Sequence, residues 1–171
     1  MIAFLVASLL IVLLAKYVLI GTFKPQAQPL WSKFVWTNEL ITGLYETMVA
    51  PFLSVLVGTP FIAWFLRLFG CKIGKRTFIE TTFFTEFDLV KIEDEAAINH
   101  NATMQTHLFE DRVMKMSHLR IGKQCTVGSE AIVLYDTVME EGSKLGSLSL
   151  LMKSEILPSW TSWVGNPAEI R

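Results

Sequence analysis

His107, Glu110, Asp111, Arg112 and His118 bring ionisable side chains together in one short stretch of this chain. A histidine beside carboxylates is sufficient for general-base work. Its neutral imidazole takes a proton from an amine or hydroxyl, and a carboxylate fixes the tautomer and steadies the charged form. Spacing alone leaves the commoner reading open, in which His107 is a hydrogen-bonded surface residue, and His100 and His118 are read that way. The acidic run Glu93, Asp94, Glu95 reads as a solvated corner. Cys71 and Cys125 stand in no CxxC pair and match no zinc spacing. They read as two small buried hydrophobes, which fits a reducing compartment.

The element that would carry His107 is a repeat. Apolar residues recur every six positions at Ile73 and Ile79, then at Ile92, Ile98 and Met104. They resume at Ile121, Val127, Val133, Met139, Leu145, Leu151 and Leu157. Gly74, Gly122, Gly128 and Gly146 directly follow four of these. A fixed short period with that glycine is the signature of a hexapeptide β-helix. Each unit is one short strand and one turn, three units close a coil, and stacked coils bury a column of aliphatic side chains. The glycines and the small or polar residues beside them are expected to make tight corners with positive φ. Period six fits neither an α-helix nor an alternating strand. The fold expected over residues 71–171 is therefore mainly β, a parallel β-helix.

The period breaks twice. One extra residue stands between Ile79 and Ile92, in TTFFTEFDLVKI, and the spacing fails again between Met104 and Ile121, in QTHLFEDRVMKMSHLR. Insertions in a solenoid leave the coil as loops, often on the binding face. His107 lies in the second break and is expected to face a cleft.

Residues 1–70 have a different texture. The 171-residue chain is 51% hydrophobic and 18% charged, with most charges after Arg67. Residues 2–23 are apolar except for Lys16, close to the ~20 residues that cross a bilayer. With no basic residue before Lys16 and no small-residue cleavage site, they read as an uncleaved anchor from which Lys16 snorkels. Residues 48–69 form a second apolar stretch, punctuated by Pro51, Gly58 and Pro60, and read as broken, re-entrant or interfacial helices. Residues 29–40 place Trp31 and Trp36 beside Lys33 and Glu39, as in a helix at the headgroup level, the plainer alternative being a soluble helix packed on the β-domain. Lys24, Lys33, Arg67, Lys72, Lys75 and Arg76 then lie on one side, so the β-domain is expected to face the cytoplasm from the membrane. A net charge of −1 gives no footprint for nucleic acid.

The strings PLWSKFVWTNEL, VGTPFIAWFLRLFGCKIG, TEFDLVKIEDEAAIN, MQTHLFEDRVMK, LRIGKQCTVGSEAIVLYDTVMEEGSKLGSLSLLMKSEILP and WVGNPAE resemble one group of proteins. It is the membrane-embedded C-terminal region of certain nonribosomal peptide synthetases, such as the ε-poly-lysine synthetases, which combine membrane segments with tandem hexapeptide acyltransferase-like domains. The resemblance runs from about Pro29 to Arg171. It implies a left-handed coil and an acyl or aminoacyl transfer that joins a thioester-held acyl group to an amine. The base of the hexapeptide acetyltransferases falls on His107, with Glu110, Glu86 or Asp88 to orient it. The implied donor is coenzyme A or a phosphopantetheinyl carrier, with no tightly bound cofactor. The implied partners are membrane lipid, carrier or synthetase domains, and a second β-helix through self-association or pairing. This sequence carries one β-helix and no adenylation or carrier domain, so a fragment, a partner acting in trans, or a homologue with a changed role are all open. Two other functions compete. One is a non-catalytic scaffold that anchors a synthetase or membrane complex. The other is a zinc enzyme, which would need His100, His107 and His118 together; His100 lies near the end of a regular coil, so no metal is expected.

Overall fold

The computed structural model describes residues 2–171, with side chains from residue 6 onward. Three helices come first. Helix α1, Ile2–Leu19, has 18 residues, about 27 Å at 1.5 Å per residue, slightly less than a ~30 Å hydrocarbon core. Helix α2, Lys33–Leu56, starts at Ser32, whose hydroxyl accepts from the Val35 N–H. It passes through a π turn at Tyr45–Val49 and ends in a 3-10 turn at Ser54–Leu56. The headgroup stretch and the start of the second apolar stretch are thus one helix, where two separate elements were expected. The break comes at Gly58. Helix α3, Pro60–Phe69, then starts on proline and ends at Gly70, with φ +117°.

From residue 6 onward α2 alone is long and apolar enough to cross a membrane. It nevertheless lays one face on the rest of the protein, burying Val35, Asn38, Ile41, Tyr45, Val49 and Leu53. Helix α1 does likewise with Ser8, Val12 and Lys16, spaced at i, i+4 and i+8. Lys16 does not snorkel. Its side chain is fully buried and its ammonium lies 2.7 Å from Asp88, over the ring of Tyr17.

From Lys72 the chain winds as a three-sided solenoid of parallel strands. The inward residues stack in three columns. Ile73, Ile92, Ile121, Met139 and Leu157 form one. Ile79, Ile98, Val127, Leu145 and Trp163 form the second. Phe84, Met104, Val133 and Leu151 form the third. In the regular part each column advances by 18 residues, as from Ile121 to Met139 to Leu157, which is three six-residue units per coil. The seven residues from Ile121 to Leu157 are all buried. Phe84, which sequence spacing passed over, supplies the third side of the first coil.

The corners correct the expectation about glycine. Gly74, Gly122, Gly128 and Gly146 do not adopt positive φ. Positive φ, from +53° to +71°, falls three positions after the inward residue, at Arg76, Glu95, Asn101, Gln124, Glu130, Asp136, Gly142, Leu148, Ser154 and Trp160. The motif glycines are needed for stacking. A Cβ on Gly122 would stand 2.6 Å from the Met139 carbonyl oxygen, and one on Gly128 would run into the backbone of Gly146 and Ser147.

The helices close the open end of the solenoid. Arg67 donates to the carbonyls of Ile73 (3.0 Å) and Gly74 (2.6 Å), and the Gly58 N–H donates to Ile79 (2.7 Å). First-coil carbonyls that would otherwise form an unpaired edge are thereby satisfied. Helix and coil side chains share one hydrophobic core, with Tyr45, Leu66 and Phe69 packed among Ile79, Phe84 and Phe87.

Candidate functional site

Both interruptions leave the coil as anticipated from the loss of period, and they meet. The second forms a hairpin, His107–Glu110 paired with Val113–Met116, closed by Asp111 and Arg112 at φ +52° and +62°. Two consecutive residues of positive φ match the twist of a tight hairpin. The strand Gln26–Pro29 adds to its far edge. The first interruption passes through Glu86 into a 3-10 turn, Phe87–Leu89.

His107 is 7% exposed, and its Nδ1 lies 2.8 Å from Oε2 of Glu86. Glu86, 2% exposed, is fully engaged. Its Oε2 also accepts from the Thr106 hydroxyl at 2.6 Å, and its Oε1 accepts from Nδ2 of Asn38 at 2.8 Å. The Thr106 hydroxyl in turn lies 2.9 Å from that of Thr85. Burial by itself raises the Glu86 pKa. The His107 hydrogen bond and charge, with the Thr106 and Asn38 hydrogen bonds, outweigh it and hold the carboxyl below its ordinary value. For His107, burial favours the neutral ring, but the hydrogen bond and charge of Glu86, and more weakly the charge of Glu39, leave its pKa raised. Against an ionised Glu86, Nδ1 is the donor, which leaves Nε2 as the basic nitrogen. Nε2 makes no hydrogen bond to the described residues, and the ring packs edge-on against Phe109, centroids 5.2 Å apart.

Glu86 holds φ +26° and ψ +66°, sparsely populated for a residue with a Cβ. Such strain costs on the order of 1–3 kcal/mol and persists where the surroundings impose it. Here three donors converge on its carboxylate.

The other carboxylates considered as orienting groups lie elsewhere. Glu110 points away from the imidazole to Lys153 and Lys115, with the Tyr135 hydroxyl at 3.4 Å. These lysine hydrogen bonds hold its pKa down. Alternation along the strand explains the separation, since residues 107 and 110 lie on opposite faces. Asp88 turns from the site toward α1, pairing with Lys16 and accepting from the Phe23 N–H at 3.0 Å. His118 is exposed, and His100 is exposed with Glu80 at 4.0 Å. No set of three potential metal ligands comes together among the described residues.

Two partners of Glu86 were not anticipated. Thr106 is adjacent to His107 and carries no spacing signal. Asn38 does leave one. It falls on the apolar face of α2 with Val35 and Ile41, three residues to either side, and is fully buried. A buried amide at such a position needs a partner.

No family model matches the chain. Over 164 residues, 95% of the chain, it is 44% identical to a δ-poly-L-ornithine synthetase of Acinetobacter baumannii, strain AB307-0294. The matched chain spans only 12% of that relative's length. Among solved structures, the maltose O-acetyltransferase of Clostridium difficile superposes with a TM-score of 0.63 at 12% identity, covering 86% of this chain and 91% of that one. A hexapeptide-repeat acetyltransferase of Vibrio cholerae gives 0.55 at 18% identity, over 60% and 61% of the two chains. A galactoside acetyltransferase in complex with coenzyme A gives 0.55 at 15%, over 64% and 68%. The chain therefore has the mainly-β, left-handed parallel β-helix fold of the hexapeptide-repeat acetyltransferases, and along nearly its whole length it is similar to a short part of a poly-ornithine synthetase.

Proposed function

We propose that this chain is a membrane-tethered acyl- or aminoacyltransferase domain that joins a thioester-held acyl group to an amine, with His107 as general base. The observation that carries the reading is the buried Glu86–His107 pair, which presents a basic Nε2 with no hydrogen-bond partner among the described residues. The amine nitrogen attacks the thioester carbonyl carbon, and a C–N bond forms as Nε2 takes the N–H proton. The tetrahedral intermediate collapses, the C–S bond breaks, and the imidazolium returns its proton to the departing thiolate. The products are an amide and a free thiol. Glu86 fixes the tautomer and opposes the transient charge on the ring.

The donor class is coenzyme A or a phosphopantetheinyl carrier. The coenzyme A bound by the galactoside acetyltransferase supports the first. Similarity to a synthetase supports the second, with carrier or synthetase domains as partners. The name of that relative, a poly-ornithine synthetase, supports an amine as acceptor. Membrane attachment is supported by exposed apolar side chains on the helices: Leu10, Ile11, Leu14 and Val18 on α1, and Phe61, Trp64 and Leu68 on α3. With Lys24, Arg67, Lys72 and Lys75 following these segments, the β-helix faces the cytoplasm in this reading. Exposed Ile132, Leu148, Ile156 and Trp160 on the coil support self-association or pairing with another β-helix.

The test is thiol release from acyl-coenzyme A and from acyl-pantetheine, with small amines as acceptors, by the purified chain in detergent. His107→Ala should slow transfer by on the order of a hundredfold or more, the usual share of a general base. Equal turnover by the folded variant would remove His107 from the mechanism. A wild-type chain inert with both donors would leave the scaffold reading.

A further inference from the structure

Beside His107 lies a cavity of about 380 Å³ lined by Leu30, Trp31, Val35, Trp36, Glu39 and Phe109. Phe109 is a shared wall, since the same ring packs against the imidazole. Trp31 and Trp36 meet with centroids 6.4 Å apart and planes inclined at 53°, and both remain largely exposed. The other apolar lining comes from Leu30 and Val35. The one charged group in the lining is Glu39, which is exposed and makes no ion pair or hydrogen bond among the described residues.

This combination selects by charge. A neutral acyl tail would fit the aromatic walls but would strip water from the carboxylate without replacing it. An anion would be repelled. An alkylammonium gains from both features, lying against tryptophan faces while its charge meets Glu39. We propose that this cavity binds the distal ammonium of an aliphatic diamine substrate, with Glu39 as counter-charge and Trp31 and Trp36 as walls, while the second amino group reaches Nε2 of His107. Glu39 would thereby set specificity for a doubly aminated acceptor over a simple amine. Its charge is also felt at the imidazole, which agrees with the closeness of the two groups.

The inference rests on the transferase reading for its kinetic form but not for its binding form. With acetyl-coenzyme A as donor, the full chain is assayed with 1,4-diaminobutane and with n-butylamine. The expected result is a preference for the diamine in kcat/KM that falls about twofold to fivefold in Glu39→Gln, the worth of one exposed ion pair. Trp36→Ala should lower the same ratio. An unchanged ratio in both variants overturns the proposal. If the wild-type chain transfers no acetyl group from coenzyme A or from pantetheine, the transferase reading fails and the cavity is judged separately, by tryptophan fluorescence titrated with the diamine and with the uncharged 1-butanol. Saturable binding of the diamine, weakened in Glu39→Gln and absent for 1-butanol, sustains the proposal, while equal responses to the diamine and the alcohol refute it. A lipid headgroup ammonium is the competing source of the same chemistry. Vesicle binding that depends on phosphatidylethanolamine and on Glu39, with no effect on diamine binding, would also refute it.

Discussion

Glu86→Gln changes little in volume and removes one charge, so its effect is readable from the hydrogen-bond geometry. In the wild type both carboxylate oxygens accept, Oε2 from His107 and Thr106 and Oε1 from Asn38. An amide offers one oxygen and one N–H2 group. With its oxygen toward Asn38, the N–H2 group faces Nδ1 of His107 and the Thr106 hydroxyl, which can accept it only if the ring moves its proton from Nδ1 to Nε2. What is lost is then the charge-assisted hydrogen bond to His107, worth about 1.5–3 kcal/mol. In a protein of this size that is a fall in Tm of about 3–12 °C. The pH dependence carries the sharper test. The lowered pKa of Glu86 gives stability that is present above the ordinary carboxyl value of 4.5 and is lost as pH falls through the folded value. The raised pKa of His107 gives stability that is present below 6.5 and is lost as pH rises through its folded value. The difference in Tm between wild type and variant should therefore be largest between about pH 4.5 and 6.5 and shrink on either side. Calorimetry of both proteins across that range is the assay. Melting curves that stay parallel at every pH would refute the pairing of a charged Glu86 with a charged His107.

Gly70→Ala should destabilise by several kcal/mol, because φ is +117° and a Cβ there would run into the Asp88 carboxylate; chemical denaturation reads the loss. Val133→Asp places an unpaired charge in a fully buried column and should cost several kcal/mol, so an unchanged Tm would contradict the stacking described above. Phe61→Gln combined with Trp64→Gln should lower partition onto phospholipid vesicles at least tenfold, since each exposed ring contributes on the order of 1.5–3 kcal/mol if it enters the bilayer. Unchanged co-flotation would remove α3 from the membrane contact.

The solenoid was legible because its core uses one class of side chain, unbranched or branched apolar, at one spacing. From Ile121 to Leu157 nothing disturbs the period, and the inward column can be read directly. The first coil was harder, because Phe84 comes five residues after Ile79 and an aromatic fills the place of an aliphatic. The role of the motif glycines was misassigned, since sequence cannot distinguish a positive-φ corner from a close approach between coils. That distinction depends on residues 18 positions away, such as Gly146 behind Gly128. Loss of period marked where the chain leaves the coil, but not what the departing segments touch. Glu110 stands three residues from His107 and yet faces the other side of the hairpin, while Glu86, 21 residues earlier, meets the ring. Alternation turns Glu110 away once the strand is known, but nothing local brings Glu86 to the ring, because that choice is made by the packing of α2 and the hairpin.

That packing explains how Glu86 is held in a conformation it would not keep alone. Asp88, two residues on, receives the buried ammonium of Lys16 from α1 and the Phe23 N–H from the segment that follows, and its carboxylate lies against Gly70 at the end of α3. Burying an ammonium is costly unless it is paired, so α1 cannot settle on the protein without Asp88 in place. The reverse also holds, since a half-buried carboxylate that lost Lys16 would turn toward water and take the Phe87–Leu89 turn with it. Asn38 fixes the same loop from α2 through the Glu86 carboxylate itself. The strain at Glu86 is therefore imposed from both sides, by His107 and Thr106 within the β-domain and by two helices that precede it in the chain. Residue 70 divides two textures of sequence, but the site lies across that division. The Lys16, Phe23 and Asn38 contacts that aim Glu86 at His107 all come from before that division.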